Sequence, residues 1–369
     1  MSAAMVLVGL AATSLVGCGS DTGNASLDSS SGAGGEGSGA GGETGSDSAA
    51  GGAGGSGECA PGSGCCAEGE ALIQIDSAQA LTELAEAECT TIQGGLSITA
   101  SDVANLEGLE SIRTITGDLE IVGADSLEGV EGLGGLESVG GSLILANNAA
   151  LSELSGLTAL SEIGSESEAA SLVVTNNAEL ATLGGLESVT FTLASITVSG
   201  NGALGTLEGL GGIPAAESVT IVGNQDLTDI SGLSELASAT SLILNGNQEL
   251  VRAELPALGE AASLLATDNP ALEALAMTAL ASVSGTVIVA MNASLENVDL
   301  RSLMEVGGLT VADNPALQEL DLSELEQADS LTIRDNESYP QCEVDALDER
   351  LGGVCDDACS GNDETASCD

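Results

Sequence analysis

Along most of the chain an aliphatic residue, a variable one and a second aliphatic are followed, after two more, by Asn, and after two more again by Leu. The pattern appears as LILANNAAL (143–151), LVVTNNAEL (172–180), ITVSGNGAL (196–204), VTIVGNQDL (219–227) and LILNGNQEL (242–250). It continues as LLATDNPAL (264–272), VIVAMNASL (287–295), LTVADNPAL (309–317) and LTIRDNESY (331–339), and two weaker copies, LSITASDVA (96–104) and LEIVGADSL (119–127), precede the series. The eleven starts at 96, 119, 143, 172, 196, 219, 242, 264, 287, 309 and 331 lie 22 to 24 residues apart, with one interval of 29. A period this regular predicts a solenoid of about eleven coils.

Paired aliphatics such as Leu143 and Leu145, or Val219 and Ile221, put both side chains on one face of a short strand. Asn148, Asn177, Asn201, Asn224, Asn247, Asn269, Asn292, Asn314 and Asn336 lie where each strand must turn. Their amides can satisfy the turn backbone, and stacked copies can form a ladder of paired donors and acceptors. The Leu at the end of each motif returns the chain to the core. Upstream, Ile92, Ile115, Val139 and Val283, each two residues before a Gly, supply one more inward aliphatic. Three or four core aliphatics per coil are expected, and one parallel sheet along a rod of roughly 50 Å at ~4.8 Å per strand.

Both ends of the array (96–340) carry caps. Residues 76–89 (DSAQALTELAEAEC), within an N-terminal cap of 58–95, predict an amphipathic helix started by Asp76 or Ser77, with Ala80, Leu81, Leu84 and Ala85 facing inward. In the C-terminal cap of 341–369, residues 342–355 predict a second helix with Val344, Leu347 and Leu351 on one stripe, ended by Gly352-Gly353. Such lids cover the open ends of a solenoid core. Cysteines gather at the same places, Cys59, Cys65, Cys66 and Cys89 before the array and Cys342, Cys355, Cys359 and Cys368 after it. In an exported chain these eight predict four disulfides. Cys342–Cys355 and Cys359–Cys368 are the expected C-terminal pairs, and one of Cys59, Cys65 or Cys66 is expected to meet Cys89. CxxC pairs of a zinc site are absent, so no metal is implied.

The ninth cysteine belongs to an export signal. Residues 5–16 (MVLVGLAATSLV) are an apolar run too short to span a bilayer as a lasting helix, and they lead into Leu15-Val16-Gly17-Cys18. This resembles the lipobox of bacterial lipoproteins, although the MSAA before it carries no Lys or Arg. The resemblance implies a signal peptide of 1–17, cut before a lipidated Cys18, and a membrane-anchored protein of the cell envelope, at the outer membrane or surface of a Gram-negative bacterium. Residues 18–57 then form a flexible Gly/Ser-rich tether with a reach of roughly 30–35 Å. The GGETGSD within it lacks the nonapeptide period of calcium-binding repeats.

The L-x-I-x-x-N-x-x-L coils, together with the opening Cys89-Thr-Thr-Ile-Gln-Gly-Gly-Leu96-Ser-Ile98, resemble the leucine-rich-repeat superfamily, and within it the receptor L domain. The next Leu follows the Asn by three residues instead of two, which favours the L-domain branch. That resemblance covers about residues 75–355. Since an L domain has about five coils, it implies either two in tandem or one extended array, and the insertion SEIGSESEAA (161–170) marks a possible seam. L-domain relatives bind polypeptides or glycans, so the resemblance also implies a binding module.

Composition narrows the function further. The chain has 369 residues, with 57 Asp+Glu against five Arg, no Lys, His or Trp, and a formal net charge of −52. Without His or Lys there is no His-activated nucleophile, Schiff base or Walker loop, and such an acidic surface repels phosphate backbones, so nucleic acid is not an expected partner. Carboxylates are the only abundant acid/base groups, but Glu128, Glu131, Glu137, Glu153, Glu162, Glu187 and Glu208 fall in variable loop slots. Sugar-stacking aromatics are limited to Phe191 and Tyr339. A non-enzymatic protein without cofactor is the expectation.

The residue between each pair of inward aliphatics should face outward. Ile144, Val173, Thr197, Thr220, Ile243, Leu265 and Ile288 form an apolar or Thr stripe there, with charges only near the ends, at Glu120 and at Arg334, two places further along its strand. Such a stripe marks a contact surface for a protein or glycan partner, whereas β-propensity alone would also favour these residues. Thr is too scattered for an ice-binding array. The alternative function is a structural or adhesive coat whose acids are weakly bridged by divalent cations.

Overall fold

The computed structural model describes residues 65–66, 72–165, 170–355 and 358–368. The expected signal peptide, Cys18, the tether and Cys59 lie outside the described residues. The rest winds into a parallel β-solenoid. Its main sheet has twelve strands, each paired in parallel with the strand of the neighbouring coil. They are β1 (Ile73–Ile75), β2 (Leu96–Ile98), β3 (Leu119–Val122), β4 (Leu143–Ala146), β5 (Ser171–Thr175) and β6 (Leu193–Ser199). There follow β7 (Ala215–Val222), β8 (Ser238–Asn245), β9 (Glu260–Thr267), β10 (Ser282–Ala290), β11 (Glu305–Ala312) and β12 (Gln327–Arg334). Eleven of these carry the sequence motif; β1 is an additional strand ahead of the first motif.

Alternation sets this sheet. In β4 Leu143 and Leu145 are buried while Ile144 is half-buried, and the same reading holds for Val219, Thr220 and Ile221 in β7. The core is thicker than three or four aliphatics per coil. In one coil Leu143, Leu145, Leu151, Leu154, Leu157, Leu160 and Ile163 are all buried. The extra members come from a three-residue spacing after the motif Leu, where the chain turns through short 3₁₀ segments such as Ser155–Leu157 and Ser231–Leu233. A three-fold turn brings every third side chain to the same side.

The cross-section changes along the rod. In the first coils a two-residue strand (Thr91–Ile92, Thr114–Ile115, Ser138–Val139, Glu162–Ile163) precedes the main strand, and these pair with Cys65–Cys66 as a separate five-stranded ladder. Gly separates the two strands because a side chain does not fit: a Cβ on Gly117 would lie 2.8 Å from the backbone of Gly94. From β6 onward this break is lost and the main strands lengthen to seven to nine residues. At Val283-Ser284-Gly285 the strand runs on but its register shifts between Val283 and Thr286. A third, four-stranded ladder (Arg252–Glu254, Ala274–Ala276, Asn297–Asp299, Glu319–Asp321) replaces the 3₁₀ turns in the later coils. The insertion at 161–170 does not interrupt the main sheet, since β5 pairs with both β4 and β6.

Helix α1 (Ala78–Glu86) is capped by Ser77, whose hydroxyl accepts from the Ala80 N–H, and it buries Leu84. Helix α2 (Gln341–Leu351) buries Val344 and Leu347 and ends at Gly352 in the left-handed region. The C-terminal disulfides differ from the expected pairs: they are Cys342–Cys368 and Cys355–Cys359. The helix itself explains this. Cys342 sits in its first turn, whereas Cys355 folds back beyond its end with its N–H donating to Asp348 Oδ1. At 1.5 Å per residue Cys342 and Asp348 are about 9 Å apart along the axis, beyond the usual disulfide span. Cys89 is also disulfide-bonded.

The C-terminal segment closes the last strand. Backbone N–H groups of Leu331 and Asp335 donate to Val354 and Ser360 carbonyls, and that of Ile333 donates to Cys359 Sγ. Among the described residues no helix is long and apolar enough to cross a membrane.

Candidate functional site

The outward residues of the main sheet stand in register. Ile144 pairs with Val173, Val173 with Thr197, Thr197 with Thr220, Thr220 with Ile243, Ile243 with Leu265, and Leu265 with Ile288. The row continues to Thr310 and Thr332, and at the other end to Glu120 and Ser97. All seven stripe residues are half-buried, with their tops open on a continuous surface.

Two further outward rows flank this one, and the motif did not single them out. On one side run Ser142, Ser171, Ser195, Ser218, Ser241, Ser263, Thr286 and Gly308, with Ser195 Oγ donating to Ser171 Oγ at 2.8 Å. On the other run Ala146, Thr175, Ser199, Val222, Asn245, Thr267, Ala290 and Ala312, of which Ala146, Thr267, Ala290 and Ala312 are buried by their neighbours. The signal for both was present: each lies at a fixed offset from the inward aliphatic pair. From β4 to β11 none of the three rows contains a charged residue.

Charges begin at the borders of this strip. Exposed Glu217, Glu260 and Glu305 lie towards the starts of the long strands. Exposed Asp268, Asp313 and Asp335 follow their ends. Asp118 and Glu120 mark the N-terminal end, and Arg334 the other, where it pairs with Asp313 at 3.4 Å and with Asp335.

Below the strip, the asparagines form one buried ladder. Asn224 Nδ2 donates to the Val198 carbonyl at 3.0 Å and to Asn247 Oδ1 at 3.3 Å, while its own Oδ1 accepts from the Asn201 N–H and Nδ2. The same scheme links Asn148, Asn177, Asn201, Asn224, Asn247, Asn269, Asn292, Asn314 and Asn336, all fully buried. Asn362 in the C-terminal cap extends it: its Oδ1 accepts from Asn336, and its Nδ2 donates to Ile333 and Gln341. At the other end Ala124 stands where Asn would, and its N–H donates to Asn148 Oδ1. The residue before each ladder Asn is left-handed, which suits Gly200, Gly223, Gly246, Asn147, Asn176, Asp268, Asp313 and Asp335. Met291 (φ 60°) occupies the same position, with half its surface exposed.

The remaining candidates offer little chemistry. An open depression of about 310 Å³ is lined by Glu187, Glu208, Gly209, Gly211, Gly212, Ser231 and Gly232. Among the described residues, no three acids or cysteines converge as a metal site. Arg301 is held between Asp299 and Asp321, and its hydrogen bonds keep the Asp299 carboxyl below the usual range. Arg350 donates to the Leu322 and Ser323 carbonyls, tying α2 to the last coils. Tyr339, where other coils have the motif Leu, is buried, and burial followed by the nearby Glu343 pushes its hydroxyl up to about 12. Compared with known protein families and curated proteins, the chain finds no match.

Proposed function

We propose that this chain is a non-enzymatic, lipid-anchored protein of the bacterial cell envelope that binds a protein or glycan partner through its solenoid sheet face. The observation that carries the reading is the strip from β4 to β11, which has no charge on a chain of net −52. β-propensity favours Thr, Val and Ile on a sheet and disfavours acids, and part of the flanking rows is buried. The support therefore comes from the central row, whose apolar and Thr side chains between Ile144 and Ile288 stay contiguous and partly exposed. The lipobox-like Leu15-Val16-Gly17-Cys18 supports the anchor, and the L-domain-like coils support a binding module.

The double substitution Ile243→Asp and Leu265→Asp tests the face. Both side chains point outward, so the coil should fold while partner binding is lost. Survival of every binding phenotype in a folded double variant would leave the cation-bridged coat as the better account. Lipid-precursor labelling tests the anchor, and unchanged labelling of Cys18→Ala would remove it.

A further inference from the structure

The borders of the strip identify the kind of partner. Eight strands at ~4.8 Å, and three outward rows two residues apart, give a neutral area of roughly 34 by 13 Å. That is about half of the ~800 Å² that each partner buries in a standard protein interface. A stable complex therefore extends onto the flanks, where Glu217, Glu260 and Glu305 lie on one side and Asp268 on the other, Asp313 being already paired with Arg334. A second copy of this chain would bring the same acids against them, and like charges facing each other across an interface are costly. A glycan would find no aromatic platform, since none of the three rows contains Phe, Tyr or Trp.

We propose that the strip docks a cationic polypeptide: apolar and hydroxyl side chains at the centre of its contact surface, Lys or Arg around the rim. This rests on the reading of the sheet face as the contact surface. Apolar centre and charged rim are the usual division of a protein interface, and the acidic flanks would also speed encounter in a salt-dependent way. The five Arg of the chain do not compete for the flanks between β4 and β10: the one basic residue of the outward rows, Arg334, sits at the far end, already paired.

The test uses the full chain and three synthetic peptides of alternating sequence, identical in their apolar residues and carrying Lys, Gln or Glu between them. Titration at low salt should rank Lys above Gln by at least about tenfold and Gln above Glu, with the Lys advantage shrinking as salt rises. Replacing Glu217, Glu260 and Glu305 by Gln should reduce that advantage while Gln-peptide binding stays. Ile243→Asp with Leu265→Asp separates docking from general attraction. Two added negative charges would strengthen purely electrostatic association, whereas docking on the strip weakens at least about tenfold. Ile243→Ser with Leu265→Ser repeats the test without charge, using a residue the same sheet already carries outward.

A Gln peptide that binds as well as the Lys peptide, and is lost in the double variants, overturns the cationic partner but keeps the face. A Lys peptide that binds both double variants undiminished overturns the face as well. Absence of Lys-peptide binding overturns the inference, as does a neutral oligosaccharide that binds the wild type and not the variants. Sedimentation showing a wild-type dimer that the variants dissociate would make the occupant a second copy.

Discussion

Asn224 shows how much of this fold rests on single side chains. Its amide closes four hydrogen bonds between three coils, and no buried side-chain nitrogen or oxygen among the described residues lacks a partner. Asn224→Ala removes the acceptor of the buried Asn201 N–H and of one N–H of the Asn201 amide, whereas Asn247 Oδ1 keeps the backbone N–H of residue 224. At ~1–3 kcal/mol for each buried group left unpaired, a loss of about 2–6 kcal/mol is expected in denaturant unfolding, and a loss below 1 kcal/mol would contradict the ladder. The ladder was legible because Asn recurs at a fixed distance from the strand aliphatics. Asn362 escaped because no aliphatic pair precedes it; only the Gly361-Asn362 dipeptide, like Gly200-Asn201 and Gly223-Asn224, marks its place. Tyr339, the single tyrosine, reports on the last coil. Its hydroxyl is raised to about 12 in the folded chain against ~10 when unfolded. The folded state thus holds this proton more tightly. Its contribution is fully present below pH ~10 and is lost as pH rises towards 12. Tyrosinate absorbance should appear near pH 12 in the native protein and near 10 in denaturant; identical midpoints would place Tyr339 in water.

At the scale of elements, the main strands could be read from alternation, whereas the lengthening after β5 could not. That change depends on whether backbones of neighbouring coils approach closely enough to require Gly, as at Gly117, and so on the stacking of coils. The Leu151-Leu154-Leu157-Leu160 spacing fits neither a strand nor an α-helix; it belongs to a three-fold turn that only the closed coil makes evident. Disulfide pairing was hidden for a related reason, because partner choice depends on where α2 places Cys342 and Cys355. Loop lengths separate the two C-terminal bonds. Removing Cys342–Cys368, which closes 26 residues, should cost about 3–4 kcal/mol, and removing Cys355–Cys359, which closes four, about 2 kcal/mol. Denaturant unfolding of the paired Cys→Ser variants checks this order, and its reversal would argue against the cap as described.

On the whole-molecule scale, a net charge of −52 first suggests a chain too self-repelling to fold. The coils resolve this by sorting: aliphatics inward, asparagines into the ladder, acids onto turns and borders, and neutral side chains onto one broad sheet. The solenoid and the central stripe were legible in the sequence. The two flanking rows and the acidic borders became visible only once strand register placed residues from different coils side by side. An aspartate scan along the central row, one substitution at a time from Ile144 through Thr332, maps where on the sheet a partner docks. With binding of the Lys-bearing peptide as readout, losses should be greatest at Thr220, Ile243 and Leu265 and fade towards Thr332. A flat profile, or binding that strengthens with each added negative charge, would contradict a docking strip on the sheet face.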